Sequence, residues 1–161
     1  MSGKFPLEPL CLLRGIRLRG FEAELRSCRE RYDQVEGERL AAVESLAQTL
    51  RLRSEFAENS WRKLFERNCP TGSAMDRHER HLALLDQGIV EHQAHLVACE
   101  QVSDDARLML DAALAAWRKA RSKLDAVGEM KQEWQRSARS QQERLEEQSL
   151  EELALRQAPI S

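Results

Sequence analysis

Residues 68–73 read Asn68-Cys69-Pro70-Thr71-Gly72-Ser73, and this short run decides the fold. Proline cannot donate to a helical ladder and pushes the residue before it out of α geometry, while Gly72 permits the positive φ of a tight turn. The other prolines stand at positions 6, 9 and 159, so 10–69 and 71–158 are both free of the strongest helix breaker. Two long helices joined by a turn are expected. Proline is favoured in a first helical turn, which places the start of the first helix near Pro9 or Leu10. The predicted elements are a helix over about 10–68, a turn at 69–73 and a second helix over about 74–157. Ser73 followed by Asp76 resembles a capping box that restarts the chain as helix.

Composition agrees. Ala, Glu, Lys, Leu and Arg supply 87 of the 161 residues, and Val, Ile and Thr together only 11, too few for a substantial sheet. Stepping alternately three and four residues from Leu82 meets Leu85, Ile89, His92, Leu96, Cys99, Ser103, Ala106, Leu110, Ala113, Trp117, Ala120, Leu124, Val127, Lys131 and Trp134. Thirteen of these sixteen positions are apolar, a heptad seam long enough to argue for a coiled coil. The first helix shows the same stripe through Leu18, Phe21, Leu25, Cys28, Tyr32 and Val35. Past Gly37 the apolar residues resume at Val43, Leu46 and Leu50, then at Ala57, Trp61 and Leu64. The eight-residue interval from Val35 to Val43 predicts a local stutter.

A short link makes such helices antiparallel neighbours in a single helical-hairpin domain over 1–161, an all-α coiled coil. Facing residue numbers are expected to add to about 142, which sets Leu10 beside Gln132 and leaves the later part of the second helix as an overhang.

Several classes are excluded at this level. No run approaches the roughly 18 apolar residues of a membrane span, and the apolar cluster at Pro9–Leu13 is too short for a signal-peptide core. Cys11, Cys28, Cys69 and Cys99 show no paired spacing and read as reduced thiols. His78 and His81, like His92 and His95, are three residues apart, but no metal-ligand motif accompanies them; His92 falls on the seam and the others are expected on solvated faces. No nucleotide-binding or nucleophile motif occurs, so no cofactor, metal, small-molecule substrate or catalysis is expected. Nucleic acid is disfavoured because the arginine-rich stretch lacks interleaved aromatics.

Charge is uneven although its sum is −2. Residues 14–31 hold six Arg against three Glu, whereas 143–152 hold five Glu against Arg144. Solvated faces explain such runs, and so does steering toward a charged partner. Off the seam, Leu12, Leu13 and Ile16, with Arg17, lie near the start. Leu145, Leu150, Leu153 and Leu155 lie on the overhang. Uncovered apolar residues of this kind mark a binding surface or self-association into a dimer.

The stretch from Trp117-Arg118-Lys119-Ala120 through Leu124, Ala126 and the run Arg144-Leu145-Glu146-Glu147-Gln148-Ser149-Leu150-Glu151-Glu152-Leu153-Ala154 resembles the FliJ/YscO-type stalk proteins of bacterial flagellar and virulence type III secretion. Lys63-Leu64-Phe65-Glu66-Arg67, ahead of the turn, is similar to the basic-Leu-Phe-acidic stretch of the virulence members. The resemblance implies a monomeric, non-catalytic stalk in the cytoplasm, peripheral to the inner-membrane export apparatus. Its partners would be the hexameric secretion ATPase, the export gate and export chaperones. It assigns ATPase contact to the terminal residues Leu12, Leu13, Ile16, Arg17, Leu145, Leu150, Leu153 and Leu155. Gate contact falls on His81, Leu85, Gly88 and His92, where flagellar members carry Phe, Leu, Ala and His; Leu85 and His92 equally fit the core stripe. The 25 residues from His92 to Trp117, one heptad more than in the flagellar pattern, favour a virulence system. The competing reading is a homodimeric coiled-coil scaffold.

Overall fold

The computed structural model describes residues 3–66 and 71–159. It consists of α1 (Glu8–Glu66, 59 residues) and α2 (Gly72–Gln157, 86 residues), packed against each other as an all-α helical hairpin. The expected end of the first helix at Arg67–Asn68 and the Cys69-Pro70 part of the turn lie outside the described residues, as does Cys69 itself.

Both helix starts differ slightly from expectation, for reasons of capping. α1 begins one residue before Pro9: the Glu8 N–H donates to the Phe5 carbonyl at 3.1 Å, and the Cys11 N–H to that of Leu7 at 3.0 Å. Pro9 then occupies a first-turn position whose N–H has no intrahelical acceptor in any case. α2 is capped by Thr71, not by Ser73 and Asp76. The Thr71 hydroxyl accepts the Ala74 N–H at 3.3 Å, and its carbonyl accepts Ala74 and Met75 at 3.0 and 3.1 Å. Ser73 is left inside the first turn, its hydroxyl 3.3 Å from that of Thr71.

All sixteen predicted seam positions of α2 are buried or half-buried, so its heptad reading is accurate along its length. In α1 the reading holds only in part past Gly37: Leu46, Ala57 and Leu64 are half-buried as expected, but Val43, Leu50 and Trp61 turn outward. Val43 and Leu50 are 40% and 45% exposed, and no stutter occurs. The stripe instead continues in unbroken steps through Arg39, Ala42, Leu46, Thr49 and Arg53, each buried or half-buried. Polar residues hold core slots here because their stems pack while their heads find partners.

The chain divides into two compact units, Met1–Leu25 with Ala113–Ser161, and Arg26–Ala112. In the first, Phe5, Leu18, Leu25, Ala113 and Val127 are buried. Phe5 lies against Trp134 with centroids 5.8 Å apart, and Glu8 pairs with Lys131 at 2.7 Å. In the second, Val35, Ala42, Ala106, Ser103 and His78 are buried. Partner numbers add to 139 in both units: Phe5–Trp134 and Glu8–Lys131 in one, Glu36–Ser103 and Arg53–Asp86 in the other. The register is therefore three residues tighter than the expected 142. Among the described cysteines, Cys11, Cys28 and Cys99 are free thiols.

Candidate docking surfaces

The terminal unit combines a firmly packed seam with an uncovered helix. Trp134 is the last α2 residue with an aromatic partner on the N-terminal segment, and from residue 139 to 159 every residue is exposed. Leu145, Leu150 and Leu155 are 65%, 65% and 77% exposed and Leu153 is 52% exposed. Leu12, Leu13 and Ile16 also face away from the seam, and Arg17 is exposed beside them. The two sets do not meet. In the observed register Leu12 stands opposite about residue 127, eighteen residues before Leu145, or about 27 Å along α2. The tail leucines also divide by face: Leu150 and Leu153 share one with Glu143, Glu146 and Glu147, while Leu145 and Leu155 fall outside it.

Sequence reading missed a groove in this unit. Arg14 and Arg17 of α1 and Lys119 and Lys123 of α2 stand around an apolar floor of Leu10, Phe21, Ala116 and Ala120, enclosing about 460 Å³. The Arg14 guanidinium donates to the Lys123 carbonyl at 2.6 Å, which ties the two walls together. None of the four cations enters an ion pair among the described residues. The arginine excess of 14–31 was visible in sequence, but the lysines join it only through the inter-helix register. Nearby, Arg121 lies 5.8 Å from the Trp117 ring centroid, and the buried Trp117 indole N–H has no acceptor among the described residues.

The second unit holds two polar clusters. Glu36 accepts hydrogen bonds from Arg39 Nε at 3.0–3.1 Å and from the Ser103 hydroxyl of the opposite helix at 2.8 Å. These donors, Arg39 first, and the positive charge of Arg39 and Arg107 lower the carboxyl pKa from 4.5 to about 2. Glu36 is charged at any ordinary pH and acts as a fixed cross-link, not as an acid or base.

The other cluster surrounds His78, which is 4% exposed and so corrects the expectation of a solvated side chain. Its ring stacks on Trp61 at 4.8 Å and on Phe56 at 5.1 Å, and Nδ1 lies 2.9 Å from the Ser60 hydroxyl. Its Nε2 is buried without a partner among the described residues. Aromatic neighbours from the other helix cover this imidazole, and the three-residue spacing gave no sign of them.

Of the residues assigned to gate contact, only His81 is exposed, packed on Phe56 at 4.3 Å. Leu85, Gly88 and His92 are half-buried along the seam, and a Cβ at Gly88 would meet the Thr49 methyl at 3.9 Å. His95 is exposed, with Nε2 3.6 Å from the Cys99 sulfur. Among the described residues no three His, Cys, Asp or Glu side chains are gathered as metal ligands, and no helix is long and apolar enough to cross a membrane. Comparison of the chain with family models, with curated proteins and with solved structures finds no match.

Proposed function

We propose that this chain is a non-catalytic stalk of a type III export apparatus, acting through protein contacts with a hexameric secretion ATPase and with the inner-membrane export gate. The observation that carries the reading is the inequality of the two helices. It leaves residues 139–159 exposed, with an acidic, leucine-bearing helix running to Gln157, in the same unit as the outward-facing Leu12, Leu13 and Ile16. An uncovered amphipathic helix is suited to insertion in a groove or pore of a partner. The terminal stretch is also where the likeness to FliJ/YscO-type proteins is most continuous. Within this reading the ATPase contact centres on Leu150 and Leu153, export chaperones are further partners, and His81 is the accessible member of the gate-facing set.

Co-purification with the secretion ATPase of the same organism, coupled to an ATP hydrolysis assay, tests this. The full chain is expected to bind the hexamer and raise its turnover. Leu150→Asp and Leu153→Asp should each weaken binding about tenfold or more, with helix content by circular dichroism unchanged, since both side chains are exposed on the overhang. A chain that neither binds nor stimulates the ATPase, and that the gate also ignores, would end the stalk reading. Unchanged affinity in both variants would move the contact off the tail.

A further inference from the structure

The terminal unit carries two surfaces of opposite charge, each built around apolar residues. One is the groove, where Arg14, Arg17, Lys119 and Lys123 ring Leu10 and Phe21 and make no ion pair among the described residues. The other is a single face of the exposed tail. Glu143, Glu147, Leu150 and Ala154 follow one another at helical steps of four, three and four. Glu146 and Leu153 flank them on one side and Glu151 on the other. Of the tail's basic residues, Arg156 falls off this face and Arg144 lies at its edge, one heptad before Glu151. Four carboxylates around a leucine pair thus mirror four cations around a leucine and a phenylalanine. The carboxylates also lack ion pairs among the described residues; the Glu146 carboxylate accepts the Gln142 amide at 3.1 Å.

The tail cannot occupy its own groove. α2 is continuous, and the twenty residues from Lys123 to Glu143 carry the acidic face about 30 Å along the helix from the basic wall. We infer that a second copy of this chain is the occupant: the acidic tail of one molecule docks in the basic groove of another, and two molecules that exchange tails close as a dimer. Leu150 and Leu153 cover the floor at Leu10 and Phe21, while the glutamates neutralise the rim. Attraction among exposed charges is screened within about 8 Å at physiological salt, so the dimer is salt-labile. This inference does not depend on the proposed export role. If both hold, self-docking and ATPase binding compete for Leu150 and Leu153.

Charge reversal on each surface, read by light scattering on the full chain alone, tests the pairing. At about 50 mM salt and ~100 μM protein the mass should be twice 18.5 kDa, and at about 500 mM it should fall to 18.5 kDa. A groove variant, Arg17→Glu with Lys119→Glu, and a tail variant, Glu146→Lys with Glu147→Lys, should each be monomeric at low salt, at least about tenfold weaker in association. Mixed one to one, they should recover the dimer, because the reversed positions of one variant's groove meet the reversed positions of the other's tail, while the remaining groove and tail are unaltered and still match. All four positions are exposed on helices, and circular dichroism checks their folding. Lys123→Glu and Glu151→Lys supply a second pair if either variant loses helix. A wild-type chain that stays at 18.5 kDa at low salt overturns the proposal. So does a dimer indifferent to the reversals, or a mixture that remains monomeric. ATPase binding is not measured here, so failure of self-docking leaves the stalk reading standing, and the reverse.

Discussion

The two units spend their polar residues differently. In Arg26–Ala112 the seam itself contains Arg39, Thr49, Arg53, Ser103 and His78, held by Glu36–Arg39, Glu36–Ser103, Arg53–Asp86 and Ser60–His78. In Met1–Leu25 with Ala113–Ser161 the buried residues are apolar, and the charges of the groove and the tail enter no ion pair among the described residues. A polar group in a coiled-coil seam penalises any other register, because slippage buries it unpaired. Charges off the seam do nothing for register and are free for a partner. The architecture of Arg26–Ala112 is one of alignment, that of the terminal unit one of association.

The largest expected effect probes the apolar seam. Leu25 is 6% exposed, and Leu25→Ala should cost about 2–4 kcal/mol, since it removes transfer energy and leaves a cavity between two helices that have no third layer to close over it. Urea denaturation of the full chain measures this. A loss under about 1 kcal/mol would mean that this seam contributes little and that the contrast between the units is wrong.

His78 gives the next effect and separates packing from polarity. His78→Ala loses stacking on Trp61 and Phe56 and should cost about 2 kcal/mol. His78→Phe keeps an aromatic ring, removes the partnerless Nε2 and loses only the hydrogen bond to a half-buried Ser60, so its stability should stay within about 1 kcal/mol of wild type. If the phenylalanine variant is as unstable as the alanine one, the imidazole nitrogens matter more than the stack.

Where the sequence was legible follows from the same contrast. The seam of α2 could be read position by position because thirteen of its sixteen members are apolar. α1 could be read position by position only to Val35; beyond it Leu46, Ala57 and Leu64 fall inward as read, but Arg39, Thr49 and Arg53 take core slots while Val43 and Leu50 turn outward. Hydropathy steps cannot show that a neighbouring carboxylate makes an arginine acceptable. The register depended on where α2 begins, and the choice between Thr71 and Ser73 as cap, two plausible hydroxyls two residues apart, is a matter of geometry. The acidic tail was visible as composition. The groove was not, because half of its cations come from residues more than a hundred positions away.

The smallest effect, and the one that most sharpens the alignment argument, lies at Glu36. Ser103→Ala removes one hydrogen bond across the seam and should cost about 1 kcal/mol at neutral pH. The Glu36 carboxyl has its folded pKa lowered from 4.5 to about 2 by Arg39, Ser103 and nearby positive charge. A lowered folded pKa means that the unfolded chain takes up the proton first as pH falls. The stabilisation is then fully present above about 4.5 and is lost progressively as pH drops toward about 2. Glu36→Gln should therefore be less stable than wild type at pH 7, and the gap should close across that acid window. Thermal melts of both proteins from neutral to acid pH give the comparison. A gap that stays constant to pH 2 would show that the cross-seam bonds work as well through a neutral side chain, and that the charge at residue 36 is not what holds the register.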